Sequence, residues 1–272
     1  MPSIKVHGVA AYYADVGEGA PVLLVHAATN HGGQWDQVRG AMDGSYRYLL
    51  PDLFNSGKTA AWPLARELNF DDEADIVLGV LDAVGDAVHL VGHSYGGAVA
   101  LRAAVRGGSS IRSLCLIEPG GCPLLAEAGR HSDYDEYVAV MKAFLAAVDS
   151  GDWSGAWRDF LNYYRGSPDA WDGLDQDTQA KILAKTQSQR QVYGAQISNP
   201  TTLAELRALK VETMIITGSA TTAPEGGVCR VLEEYLPNAT LHTIPGAGHP
   251  MPTSHPDDVA AALSRQIIFA SQ

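Results

Sequence analysis

Residues 87–98 read AVHLVGHSYGGA, and a helix of small residues, AVALRAAVRG, follows without a break. An apolar β run that ends on a serine between glycines, and then becomes helical at once, restricts a fold more than any other stretch of this chain. The run Gly-His-Ser-Tyr-Gly fits G-x-S-x-G, in which a strand turns so sharply into a helix that the serine side chain projects above the sheet edge. Such a turn holds the serine in a strained backbone conformation and brings strand and helix too close for side chains two residues to either side. Gly92 and Gly96 remove those side chains, and Gly97 gives further room. Without the strand and helix around it the motif would carry little weight. The helix aims its N-terminal amides at the serine, so Ser94 is a candidate nucleophile and the Tyr95 amide a candidate oxyanion donor. His93 points away from the serine at a turn of this kind and is expected to pack beneath it.

The rest of the chain sets this element in a larger rhythm. Residues 4–14 and 21–27 read as strands, the second, PVLLVHA, apolar enough to be covered on both faces. YRYLLPDL (46–53) is another strand, and Ile76, Val77, Val80, Leu81 and Val84 fall at helical spacing over 71–84 behind an acidic start. After the serine element come a buried strand at 113–119, a strand at 211–218, a helix near 226–236, a strand at 239–245 and a last helix from about 256. Strands alternating with helices predict an α/β fold with a mostly parallel sheet and right-handed crossovers. Residues 122–204 break the rhythm: they read as helical, contain no convincing buried strand, and carry Trp153, Trp157, Phe160, Tyr163, Tyr164, Trp171 and Tyr193. The expected organisation is a core of residues 1–121 and 205–272 with a helical cap, 122–204, inserted between its halves. Most of the cap aromatics are expected to pack the cap onto the core.

Composition narrows the partners. A formal net charge of −12 argues against non-specific nucleic-acid binding and against attraction to anionic membranes. Cys115, Cys122 and Cys229 are odd in number and show neither a disulfide nor a zinc spacing. The N-terminus lacks the pattern of a signal peptide, and no stretch approaches the roughly 18 apolar residues of a membrane span. The expected address is the cytoplasm, the expected partner a small-molecule substrate, with a homodimer as an open option. With no metal-ligand cluster and no phosphate-binding glycine loop, neither a cofactor nor a metal is expected.

A base for Ser94 must come from elsewhere in the chain. TIPGAGHPMP (243–252) offers His249 on a glycine-rich loop just past the last expected strand. With LLVHAATNHGGQW, DLFNSG, GHSYGG and GAGH, the chain resembles the α/β-hydrolase superfamily over residues of about 1–120 and 205–272. The resemblance implies an α/β-hydrolase fold with a cap where the insertion stands. It also implies that the Ala28 amide supplies the second oxyanion donor, Ala27 replacing the usual glycine. HGGQW is similar to the HGxW stretch of plant esterases and hydroxynitrile lyases with one residue more. His31 and Trp35 are read as loop packing, and Asn30 or Thr29 could face the pocket.

The resemblance also implies a carboxylate shortly after the strand VETMIITG, yet the chain continues GSATTAPEGG, with Glu225 late. Losing the orienting acid from a working triad costs about 10⁴ in rate, or roughly 5.5 kcal/mol. Glu118, at the end of SLCLIE, is the preferred replacement, because some relatives, certain haloalkane dehalogenases among them, take their acid from this strand end. Glu225, or a Ser–His dyad without an acid, are the alternatives. A serine at this turn favours acyl transfer on a small carboxylic ester, lactone or related carbonyl compound through an acyl-enzyme. A lyase or cofactor-free oxygenase using His249 for proton transfer is a second reading, and a non-catalytic small-molecule receptor a third.

Overall fold

The computed structural model describes residues 2–63, 65–107 and 110–270; the outermost residues of the expected core, 1 and 271–272, lie outside them. Eight strands form one sheet in the order β1-β2-β4-β3-β5-β6-β7-β8. They are β1 (Ser3–Val6), β2 (Val9–Val16), β3 (Ala20–Val25), β4 (Tyr46–Pro51), β5 (Val88–His93), β6 (Ile111–Ile117), β7 (Thr213–Gly218) and β8 (Ala239–Ile244). Pairing is antiparallel for β1–β2 and β2–β4 and parallel from β4 onward.

The single strand expected over 4–14 is a hairpin. His7 and Gly8 both hold positive φ, 48° and 83°, so two residues reverse the chain between β1 and β2. A two-residue turn with both φ values positive matches the right-handed twist of the strands it joins. The alternating pattern carried across it because each arm alternates on its own.

Helices cover both faces. One side holds α2 (Phe70–Val84), α3 (Tyr95–Gly107), α9 (Leu203–Ala208) and α10 (Ala223–Tyr235); the other holds α1 (Asp36–Ala41) and α12 (Pro256–Ala270). Successive strand residues sort accordingly: Leu23, Val25 and Leu90 join the first core, and Val22, Leu24 and Val91 the second. A strand covered on both faces sends alternate side chains to opposite cores, which is why these strands read as unbroken apolar runs. Asn69 opens α2 with a capping box, accepting from Asp72 N–H at 3.1 Å while the Asp72 carboxylate takes Asn69 N–H at 3.1 Å.

Between β6 and β7 run α4 (Cys122–Glu127), α5 (His131–Asp149), α6 (Trp153–Arg165), α7 (Gln176–Leu183) and α8 (Thr186–Ile197), followed by α9. A core of their own holds α5, α6 and α8 together: Phe144 meets Trp157 and Tyr193 edge-on, each at 4.9 Å between ring centres. Edge-to-face geometry sets the positive rim of one ring against the negative face of another. The short α11 (Met251–Ser254) follows β8. Among the described residues no helix is long and apolar enough to cross a membrane.

The strand order reverses between β3 and β5. Their C-terminal ends open a crevice, the usual place for a ligand in an open α/β sheet.

Candidate active site

Ser94 sits where β5 passes into α3, with φ at 55°. A Cβ at Gly92 would lie 2.7 Å from Gly97 Cα, and one at Gly96 2.7 Å from the Val25 carbonyl carbon. Contacts that short are unattainable for a side chain, so the glycines are what allow β3, β5 and α3 to close around the serine. The Ser94 N–H donates to Ile117 O at 2.9 Å, and its carbonyl accepts from Gly120 N–H at 3.0 Å. Thr29 and Glu118 also hold positive φ, 66° and 38°. Each such backbone costs about 1–3 kcal/mol and persists only where its surroundings over-determine it.

His249 arrives on the loop after β8. Its Nε2 lies 2.9 Å from Ser94 Oγ, and its Nδ1 lies 2.8 Å from Glu118 Oε2. The network assigns a neutral imidazole that donates from Nδ1 to the carboxylate and accepts the serine proton at Nε2. Glu118 is wholly buried and satisfied on both oxygens. Oε1 accepts from Gly218 N–H at 2.8 Å and Thr217 Oγ1 at 3.2 Å, and Oε2 also accepts from Thr221 Oγ1 at 2.9 Å. Glu225, the other carboxylate considered from sequence, is buried nearby but does not occupy Nδ1.

The electrostatics of this pair are reciprocal. Burial alone would raise the Glu118 carboxyl, but the hydrogen bond and charge of His249, with the donors from Gly218 and Thr221, bring it below its ordinary value. Burial likewise disfavours a charged His249, yet the Glu118 hydrogen bond and charge, with a contribution from Glu225, hold it above its ordinary value. Burial pushes Glu225 up to about 7 against the pull of His249 and Tyr164. The Tyr164 ring stands over His249 at 5.1 Å between centres.

His93 packs behind the site. Its Nε2 donates to the carbonyl of His249 at 2.9 Å, while its Nδ1 accepts from Gln34 Nε2 at 3.1 Å. Gln34 Oε1 in turn accepts from Ala27 N–H at 2.9 Å. This chain of bonds ties the loop after β3 to the loop carrying His249. Burial, then the proximity of His249, drops the His93 imidazole to about 3, which keeps it neutral; the His249 carbonyl at Nε2 fixes the tautomer. Sequence reading gave no role to Gln34, which contacts a residue 59 positions away.

Ser94, His249, Ala28, Thr29 and Asn30 share a cavity of about 270 Å³, walled by Met141, Trp157, Phe160, Tyr164 and Tyr193. That lies just under the usual range of about 300–1,000 Å³ for ligand pockets and suits a small substrate. Tyr95 begins α3, and its buried hydroxyl donates to Glu73 Oε1 at 3.2 Å. His31 is turned away, its Nδ1 accepting from Gly33 N–H at 3.1 Å, and Trp35 is buried in the second core. A wider groove of about 700 Å³ near Ile111 and Val211 lies at the opposite ends of β6 and β7, away from Ser94. Among the described residues, His7, Asp72 and Asp75 could converge on an ion, but Arg66 and Arg106 already pair with the two carboxylates. Cys115, Cys122 and Cys229 are free and buried.

Residues 22–262 match the model of the alpha/beta hydrolase family, and the chain belongs to that family. It is 27% identical over 250 residues to a 2-hydroxymuconate semialdehyde hydrolase of a Pseudomonas species, covering 89% of this chain and 84% of that one. It is also 27% identical over 267 residues to the lipase LipV of Mycobacterium tuberculosis, covering 91% of this chain and 93% of the relative. Among solved structures, an esterase from Exiguobacterium antarcticum superposes with a TM-score of 0.77 at 18% identity, covering 99% of this chain and 98% of its own. At that identity the superposition speaks for the fold alone.

Proposed function

We propose that the chain is a serine hydrolase acting on a small carboxylic ester, lactone or related carbonyl substrate through an acyl-enzyme. The observation that carries this reading is the unbroken line from Glu118 Oε2 through His249 to Ser94 Oγ, with spacings of 2.8 and 2.9 Å. Ser94 Oγ attacks the carbonyl carbon while His249 Nε2 takes its proton. The imidazolium so formed is stabilised by Glu118, which also fixes the tautomer. The tetrahedral oxyanion is held by the N–H groups of Ala28 and Tyr95, the latter at the positive end of α3. His249 then returns the proton to the leaving group, and water repeats the cycle to free Ser94. A semialdehyde or related carbonyl compound is a second substrate class, supported by the semialdehyde hydrolase among the relatives.

The test is p-nitrophenyl acetate with mass spectrometry of the quenched protein. Wild type is expected to carry an acetyl group on Ser94 during turnover, and Ser94→Ala to lose both adduct and activity, by about 10⁵-fold or more. Retention of full activity by Ser94→Ala would overturn the proposal.

A further inference from the structure

Gln196, on α8, lines the cavity that holds Ser94 and His249 and is only 5% exposed. Its Nε2 donates to the Tyr137 hydroxyl, but its Oε1 is buried without a partner among the described residues. Exchanging the amide oxygen and nitrogen would let Tyr137 donate to Oε1 and leave N–H groups unpaired instead. Either way, one hydrogen-bonding end of a buried amide is unused. A buried polar group without a partner is costly unless water or ligand satisfies it.

Of the wall, Met141, Phe160 and Leu161 are apolar, the Trp157 N–H is taken by Thr186 Oγ1 at 3.0 Å, and none of the described polar side chains bonds Gln196 Oε1. The amide lines the same cavity as Ser94 and is linked to the Ser94 backbone through Gly120. It packs against Gly120 so closely that a Cβ there would overlap it, and Gly120 N–H is the donor to the Ser94 carbonyl.

We infer that Gln196 determines substrate specificity by holding a hydroxyl carried on the acyl chain close to the scissile carbonyl. This rests on the acyl-enzyme reading above. A hydroxyl both donates and accepts, so it satisfies the amide in either orientation, whereas a plain acyl chain leaves the amide unpaired. Sites built to bond a substrate hydroxyl discriminate strongly against analogues that lack it.

Ethyl butanoate, ethyl 2-hydroxybutanoate and ethyl 3-hydroxybutanoate, followed by proton release, test the assignment. Wild type is expected to favour at least one hydroxy ester by about tenfold or more in kcat/KM, and Gln196→Met to bring that ratio below about threefold. The inference fails if wild type favours neither hydroxy ester, a result that needs no variant, or if the preference survives in Gln196→Met. Binding of the same esters to Ser94→Ala, measured by calorimetry, separates the two readings. A similar preference in Kd without any turnover by wild type would uphold the hydroxyl site and sink the hydrolase; turnover without preference would do the reverse.

Discussion

The C-terminal ends of β6 and β7 lie side by side, and the chain has divided one task between them. After β6 it turns through Glu118, a buried carboxylate in a left-handed backbone conformation, aimed at His249. After β7, where relatives by resemblance carry the acid, it runs through Gly218, Ser219, Ala220 and Thr221, with no charge at all. The second region is not idle. Thr217, Gly218 and Thr221 together donate to both Glu118 oxygens, so the stretch that lacks the carboxylate cradles the one next door. A carboxylate can be moved to an adjacent strand end if donors replace it at the old one, because a buried anion is tolerable only when it is paired and hydrogen-bonded. Two carboxylates at these neighbouring ends would repel, which gives a physical reason for the vacancy.

The largest test of this division is Glu118→Gln. Under the proposed mechanism it should lower kcat by about 10²- to 10⁴-fold, with the acetyl adduct at Ser94 slow to form but still detectable. The pH profile should move with it. His249 must be neutral to act as base, so kcat/KM falls as pH drops through its pKa in the free enzyme. Glu118 holds that pKa above the ordinary value near 6.5, so the acid limb of wild type should lie higher than that. Without the carboxylate, burial dominates and the limb should shift to lower pH. A silent Glu118→Gln, in rate and in profile, would return the role to Glu225 or to a dyad.

The parts of this arrangement readable from sequence were those encoded locally. AVHLV, SLCLI and MIITG are apolar runs long enough to announce strands buried on both faces, and GHSYGG and GAGH are short motifs whose spacing implies a turn. The position of Glu118 at a strand end, and His249 as its partner, could be stated, but the donors that hold Glu118 could not. Thr221 lies 103 residues from it and Gln34 lies 59 from His93, and neither contact leaves a periodicity or a motif. The hairpin at His7–Gly8 is hidden for a different reason: the reversal depends on two positive φ values, and His-Gly is not one of the strong hairpin pairs such as Asn-Gly or Asp-Gly.

Thr221→Val sharpens the comparison from the β7 side. It keeps the shape of the side chain but removes a donor to Glu118 Oε2, the same oxygen that holds His249. With one fewer donor, Glu118 should titrate higher and orient His249 less firmly. A loss in kcat of about 5- to 30-fold is expected, about 1–2 kcal/mol of barrier and so part of the about 1.5–3 kcal/mol that one hydrogen bond to a charged group contributes. KM should stay close to wild type, because Thr221 does not line the cavity. An equal loss in KM would instead point to a displaced pocket and weaken the view of this loop as a cradle.

Glu225→Gln should have the smallest effect and bears on why the second carboxylate does not compete with the first. Glu225 is 3% exposed, and burial pushes it up to about 7, so near neutral pH it is not fully ionised. As an anion it adds to the field that favours charged His249; as an acid it does not. The two groups therefore titrate together, and each proton taken by one weakens the attraction for the next. Replacing Glu225 with glutamine removes the anionic form. The acid limb of kcat/KM should then move modestly to lower pH and become a single, simpler titration, with kcat at alkaline pH changed by less than about threefold. An acid limb that keeps its place would mean that Glu118 alone sets the base, and that the charge at α10 is felt by the fold and not by His249. A collapse of kcat at all pH values would mean that the division of labour between β6 and β7 has been drawn in the wrong place.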